Sequence, residues 1–332
     1  MDPSPQGSFS VGTSFGPYQV LGEIARGGQG LVLKARHQEG TLVALKILLR
    51  AEGSALKRFN LETGVLARLF HPSLPRILDT GQVEGRPYLA MQLVEGKNLE
   101  QRLKHGGPLP APEAIKVLGP IAQALEYCHS FSVFHRDLKP ANIMVEESTQ
   151  RPFLVDFGVL KRDASDGALS LDDVTQLSLS GELIGTMSYM APEQTGATKF
   201  SVDARTDVYG LSATLYHLLT GVPPIQGPSA YNTLLLIVNE PPQDPRELRP
   251  EIPAAVARVC LWGLAKALDD RPSSPVELLA ALRAALLEPE ARARRGLGGL
   301  TWGGAAVALI CAAVLLGAGW WVGQPPPPAP SP

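Results

Sequence analysis

The chain has 332 residues, of which 45% are apolar, enough to bury a core and too many for a globally disordered chain. Thirty Lys+Arg against 32 Asp+Glu leave a net charge of −2, which excludes a nucleic-acid binder that works by bulk charge. The three cysteines, Cys128, Cys260 and Cys311, stand far apart without metal-ligand spacing. That spacing argues against a disulfide scaffold and a structural zinc site, and for a reducing compartment.

Residues 1–16 are small and polar, with neither the basic start nor the apolar run of a secretory signal, and read as a disordered N-terminal segment. From Tyr18 to Val94 short β-like runs surround one helix. Leu31-Val32-Leu33 and the run Leu42 to Ile47 read as strands separated by the turn His37-Gln38-Glu39-Gly40. Residues 54–70 read as a helix capped by Ser54, and Arg86 to Val94 as a further strand. After Glu95-Gly96 the pattern turns helical. Residues 112–130 read as a helix with Pro112 in its first turn, and Gly119-Pro120 in its middle predict a kink or break. Residues 133–158 hold two short strand-like segments around a polar loop. Helices are expected over 203–221, 229–240, 253–268 and 275–287, with the Pro-rich stretch 241–253 as a surface loop.

The apolar residues are unevenly spread. Between Gly296 and Gly323 there is no charged residue. The span from Trp302 to Trp321 is about 20 residues, enough to cross a hydrocarbon core at ~1.5 Å per residue. Trp302 at one end and Trp320-Trp321 at the other sit where an aromatic belt would lie. Arg292, Arg294 and Arg295 precede the span and no Lys or Arg follows, so the N-terminal side reads as cytoplasmic. Gly304, Ala308 and Ala312 form a small-residue line that could bring two such helices together. The expected layout is a basic juxtamembrane segment over 288–299, a transmembrane helix over 300–323 and a Pro-rich extracytoplasmic tail over 324–332.

Several residues carry candidate chemistry. Gly27-Gly28-Gln29-Gly30-Leu31-Val32 places glycines between two strands, where a backbone can approach phosphate oxygens. Lys46 follows on an apolar strand and either snorkels to water or holds an anion. Glu62 shares a helix face with Phe59, Leu66 and Leu69, and a carboxylate there wants a cation, with Lys46 a candidate. The run His135-Arg136-Asp137-Leu138-Lys139-Pro140-Ala141-Asn142 is far more specific. Fourteen residues after Asn142 comes Asp156-Phe157-Gly158, then Gly185-Thr186, then Ala191-Pro192-Glu193.

These motifs, in this order and spacing, resemble the protein kinase superfamily on its Ser/Thr side. The resemblance runs from about Tyr18 to about Leu287, and the Tyr-Met-Ala-Pro-Glu-Gln run at 189–194 looks most like the bacterial, eukaryotic-like Ser/Thr kinases. It implies an α+β, two-lobed kinase fold over 17–287, with a β-rich N-lobe (17–95) carrying one regulatory helix and a mainly helical C-lobe (96–287). It implies transfer of the ATP γ-phosphate to Ser or Thr of protein substrates, itself included, in signal transduction at the cytoplasmic face of a membrane, with a bacterial cell membrane expected. Mg²⁺ would be the metal, with Mn²⁺ an alternative, and no nucleic acid is involved.

The roles implied are carried residue by residue. Ala25, Gly27, Gly28, Gly30, Val32 and Ala44 would surround the nucleotide. Lys46 would hold the α/β-phosphates, oriented by Glu62. Met91 would be the gatekeeper and Gln92 to Val94 the hinge. Asp156 and Asn142 would carry the metal. Asp137 would accept the substrate proton, Lys139 would neutralise the γ-phosphate, and Thr186 would support Asp137. Asp207 would anchor the catalytic loop, and Glu193 would pair with Arg271. Arg136 would bind a phosphate on the activation loop, with Ser178 and Ser180 the residues phosphorylated. A homodimer would allow trans-phosphorylation. One position departs from the family pattern: Ala25 stands where a third glycine is usual. It is the single support for a competing reading, a pseudokinase scaffold that binds nucleotide or proteins without catalysis.

Overall fold

A computed structural model describes residues 9–27, 30–49, 59, 63–157, 187–196 and 201–288. In chain order these build β1 (Ser14–Phe15), β2 (Tyr18–Gly27), β3 (Gly30–His37), β4 (Leu42–Leu48), β5 (Ile77–Val83), β6 (Arg86–Gln92) and β7 (Gly96–Asn98). Helices α1 (Leu99–Gly106) and α2 (Ala111–His129) follow, then β8 (Ile143–Glu146) and β9 (Pro152–Leu154). The chain continues through α3 (Ala204–Thr220), α4 (Ala230–Asn239), α5 (Pro245–Leu248), α6 (Ala254–Gly263) and α7 (Pro275–Leu287).

The first lobe is an antiparallel sheet of order β1-β2-β3-β4-β6-β5. Side chains alternate along its strands. Leu31, Leu33 and Ala35 of β3, Val43, Leu45 and Ile47 of β4, and Tyr88 and Ala90 of β6 pack into one layer with Phe15, Tyr18 and Val20. The opposite face therefore carries Val32, Ala44, Lys46, Leu89 and Met91. Register places Lys46 beside Val32 on one side and Leu89 on the other, and Ala44 beside Met91. Gly30 has a packing reason of its own: a Cβ there would lie 2.4 Å from the Ile47 carbonyl oxygen, so β3 can approach β4 only without one.

The second lobe is a helical body around α2, α3, α6 and α7, with the small sheet β7-β8-β9 beside it. Its helices start where side chains satisfy the first N–H groups. Asn98 and Gln101 form a reciprocal cap on α1, Asp203 accepts from Arg205 N at the start of α3, and Ser229 and Ser274 cap α4 and α7. Helix α3 ends at Gly221, whose φ of 83° is the left-handed region a glycine enters at little cost.

One buried ion pair ties the loop before α3 to the last helices. Glu193 and Arg271 meet at 2.8 Å and 2.9 Å through both oxygens and both terminal nitrogens, with side chains 1% and 0% exposed. Arg271 also donates to the carbonyls of Ala265, Lys266 and Arg205. Those bonds engage all five of its N–H groups. Thr206 donates to Glu193 Oε1, and the guanidinium lies 5.0 Å from the centre of the Tyr209 ring.

Several expectations need correction. The segment expected to be disordered over 1–16 contains β1 and the packed Phe9, and 1–8 lie outside the described residues. Phe9 stacks edge-on against Phe15 and under Arg86, and β1 pairs with β2, because two aromatic anchors in eight residues suffice to hold the strand. Helix α2 runs unbroken through Gly119-Pro120. Tertiary packing overrides the local penalty there: Leu279 and Arg283 of α7 lie within 4 Å of where a Gly119 Cβ would stand, so α7 holds both halves of α2. The helix expected over 253–268 stops at Gly263, and the loop expected over 241–253 contains α5. Strand β5 and helix α1 were not anticipated. The helix expected over 54–70 is described at Phe59 and 63–66, and Phe59, Leu66 and Leu69 do share one buried cluster. Among the described residues no helix is long and apolar enough to cross a membrane, and 300–323 lie outside them.

Two outcomes follow from these contacts. Arg271→Met leaves the Glu193 carboxylate buried without its cation and is expected to cost about 3–5 kcal/mol, read as a lower urea midpoint; a shift too small to resolve would show that the pair contributes nothing. The second concerns acid. Burial lowers His71, His135 and His217 below the ordinary histidine value. As pH falls below the unfolded value of about 6.5, the unfolded chain takes up protons the native one refuses. Stability is therefore expected to fall between pH 7 and pH 5.5, with fully buried His135 alone contributing up to about 1.4 kcal/mol per pH unit. Equal urea midpoints at the two pH values would refute this.

Candidate active site

The segment 135–142 is held from beneath by one buried carboxylate. Asp207, on α3, accepts the backbone N–H of His135 and of Arg136, both at 2.8 Å, and the Nε2–H of His129 at 2.8 Å. Gly210, one turn further along α3, lets the helix come this close, since a Cβ there would lie 2.8 Å from Leu138 Cβ. Arg136 adopts a φ of 62°, a left-handed conformation uncommon outside glycine, and its carbonyl accepts from Gln194 Nε2 at 2.8 Å.

His135 works as a neutral cross-brace. Its Nε2–H donates to the Val155 carbonyl at 3.2 Å and its Nδ1 accepts the Asp137 N–H at 3.3 Å. Burial lowers its pKa, which suits that single tautomer, and its ring packs 4.8 Å from Phe157. The Asp137 carboxylate is thereby presented with Asn142 Nδ2 3.1 Å and Lys139 Nζ 3.3 Å from its Oδ2. Asn142 Nδ2 also donates to the Asp137 carbonyl at 2.7 Å. The Asn142 backbone bonds in turn to Val155 N, tying this loop to the Asp156 strand end.

Lys46 reaches from the polar-bearing face of the sheet and pairs with Asp156 Oδ1. Its side chain is 12% exposed and that of Asp156 47% exposed. Asp156, like Arg136, has a left-handed backbone, with φ 60°. A pocket opens beside the pair, lined among others by Lys46, Leu48, Leu89, Met91, Asp156 and Phe157. Met91 and Gln92 end β6, and the stretch 93–95 then leads into the helical lobe. The Gln92 N–H is committed to the Arg76 carbonyl at 2.8 Å.

The donor set suits a hard cation. Asn142 spends its Nδ2 on Asp137, which leaves its Oδ1 as the side-chain atom able to face a metal, and Asp156 offers a half-exposed carboxylate. Among the described residues no group of three or more His, Cys, Asp or Glu converges. A divalent ion held by Asp156 and Asn142 would thus complete its shell with phosphate and water oxygens.

The residues singled out in the sequence fall into three sets. Asp137, Lys139 and Asn142 come together; Lys46 meets Asp156; Asp207 and the Glu193–Arg271 pair brace the loops around them. Ala25, Gly27 and Gly30 lie in the β2–β3 hairpin, where Ala25 pairs with Val32 directly after a register shift between Glu23 and Ala25, and its methyl is exposed. Gly28, Glu62, Thr186, Ser178 and Ser180 lie outside the described residues, and the partner that Lys46 shows is Asp156. Three bracing residues went unassigned from sequence. His135 and Gln194 sat inside runs already singled out, whereas nothing in the spacing links His129 to Asp207, 78 positions away.

Comparison with known proteins agrees with this geometry. The protein kinase domain profile matches residues 18–282. The chain is 38% identical over 286 residues to the serine/threonine-protein kinase PknH of Mycobacterium tuberculosis strain H37Rv, covering 84% of this chain and 44% of that one. It is 40% identical over 274 residues to the DNA damage-responsive serine/threonine-protein kinase RqkA of Deinococcus radiodurans, covering 79% of this chain and 38% of that one. The chain thus spans less than half the length of these relatives. Among solved structures, PpkA-294 in its apo form is similar with a TM-score of 0.64 and 25% identity, covering 83% of this chain and 100% of that one. Rad53 1–466 in complex with AMP-PNP shares the fold, with a TM-score of 0.62 and 23% identity over 80% of this chain and 64% of that one. The sheet lobe, the helical lobe and the braced loop between them, matched over residues 18–282, place the chain in the protein kinase family.

Proposed function

We propose that the protein is an active Ser/Thr protein kinase that transfers the ATP γ-phosphoryl group to hydroxyls of protein substrates. The observation that carries this reading is the Asp137 carboxylate, presented between Lys139 and Asn142 by a backbone fixed at every turn. Phosphoryl transfer asks mainly for positioning and charge neutralisation. Asp137 orients the substrate hydroxyl and takes its proton as the new P–O bond forms and the bond to the departing ADP breaks. Lys139 offsets charge on the transferred group, and Lys46 leaves its carboxylate partner to hold the α/β-phosphates. Asp156 and Asn142 would hold Mg²⁺, which would supply further neutralisation of phosphate charge. Ala25 gives the scaffold reading little support, since it still pairs with Val32 and removes no charged or metal-holding group.

Activity and its control form one test. Full-length protein with Mg²⁺ and ATP is expected to phosphorylate itself or dephosphorylated casein, with Asp137→Asn and Lys46→Met each lowering the rate by at least about 10²-fold. Mass spectrometry is expected to find phosphate within 165–188, at Ser178 and Ser180 first, where Arg136 would receive it. Wild-type protein that binds nucleotide but transfers no more phosphate than these variants would be a scaffold.

The reading extends to a membrane. The uncharged run 300–323, its flanking tryptophans and the arginines before it support a single span with the kinase domain on the cytoplasmic side. The small-residue line there would let two copies meet. In a liposome flotation assay the full chain is expected to float and residues 1–295 to remain in solution. Full-length protein that stays soluble with intact kinase activity would overturn the anchor.

A further inference from the structure

We propose that Lys266 is a positioning residue for the substrate-facing loop 187–196, a role that rests on the kinase reading for its function but not for its geometry. Lys266 lies between α6 and α7. Its Nζ donates to the Ile237 carbonyl at 2.7 Å, in the last turn of α4. A cation is well placed there, at the end of a helix where carbonyls gather. Ile237 is fully buried, and its side chain packs in one cluster with Met187, Ile225 and Ala230. Met187, fully buried as well, opens the loop 187–196.

The other end of that loop is gripped through the same residue. The Lys266 carbonyl accepts from Arg271 Nη2 at 3.1 Å, and Arg271 holds Glu193. A closed ring results: Met187, Ile237, Lys266, Arg271, Glu193, and back along the loop to Met187. The side chain of Lys266 fixes one arm and its backbone the other. The charged groups that face it are Arg271, which itself faces Glu193, and Glu240 at the end of α4. Burial, then the Arg271 charge, lowers the ammonium to about 8, so the fold keeps a cation where solvation alone would disfavour one. Sequence composition gives α4 no charge of its own: its ten residues, AYNTLLLIVN, hold no Asp, Glu, Lys or Arg. Among the described residues of this ring, Lys266 is the cation that holds α4.

The test is hydrogen–deuterium exchange on the full chain without ATP, comparing wild type with Lys266→Met and Lys266→Arg. Lys266→Met is expected to speed exchange in 187–196 and 230–240 on the order of tenfold while leaving α2 unchanged, the size of one lost charge-assisted bond. Lys266→Arg, which keeps the cation, is expected to restore protection. In kinase assays Lys266→Met should raise KM for dephosphorylated casein on the order of tenfold and leave KM for ATP as it was. Unchanged exchange at 187–196, or a loss spread evenly over α2 as well, would overturn the proposal, as would equal changes in both KM values. If Lys266→Met does not fold, Lys266→Gln, a neutral donor, takes its place and the same readings decide. Exchange is read without turnover, so it decides the tether even if the chain proves to transfer no phosphate.

Discussion

The Arg271 guanidinium is the point on which the helical lobe converges. Burying a charge is costly unless it is paired and every donor is met. Here two carboxylate bonds and three carbonyl bonds meet all five N–H groups, and an aromatic ring covers one face. The consequence is geometric as much as energetic. A planar fork accepts partners only in fixed directions, so Glu193, the start of α3 and the loop 265–266 cannot shift independently. The loop 187–196 inherits its place from that constraint.

Asp207 extends the same logic one layer inward. A carboxylate with two oxygens receives three donors, two of them backbone N–H groups of adjacent residues. Adjacent N–H groups point to one acceptor only if the backbone bends sharply, which is what the left-handed φ at Arg136 provides. The strain is local and is offset by burial and by Gln194, which accepts the Ala191 N–H on its oxygen and donates to the Arg136 carbonyl. Asp137, its side chain only 13% exposed, is thus set in place by a loop with named partners. For the reaction proposed, the near-neutral chain needs no broad basic field, because a few charges are aimed by the fold.

How much of this was legible in the sequence depended on whether a signal was local. Alternation in β3 and β4 exposed the sheet, and with it the face that Lys46 occupies. The spacing from His135 to Asn142 and on to Asp156 named the polar residues that the structure brings together. Pairings across long separations were legible only through the family pattern, as for Glu193 with Arg271, or not at all, as for His129 with Asp207. Local rules failed at Pro120, where contact with α7 outweighs a missing N–H, and at the N-terminus, where Phe9 and Phe15 anchor a segment that looks polar by composition. Strand β5, with its exposed polar residues Asp79, Thr80 and Gln82, lacks the apolar signature of a strand and exists because β6 offers it an edge.

The Lys46–Asp156 pair joins the two lobes and differs in kind from the buried pair at Arg271. Its carboxylate is half exposed, so water already screens it and its strength is modest. Each member is held in place by something other than the pair: Lys46 by strand register against Val32 and Leu89, Asp156 by the loop that His135 and Asn142 brace. Breaking the contact therefore need not move either group. In the reaction proposed, Lys46 turns to phosphate oxygens and Asp156 to a metal ion, exchanging one partner of opposite charge for another. A pair that was deeply buried would resist that exchange by the full desolvation cost of both ions. The fold puts its unyielding ion pair where nothing must move and its exposed one where partners must change.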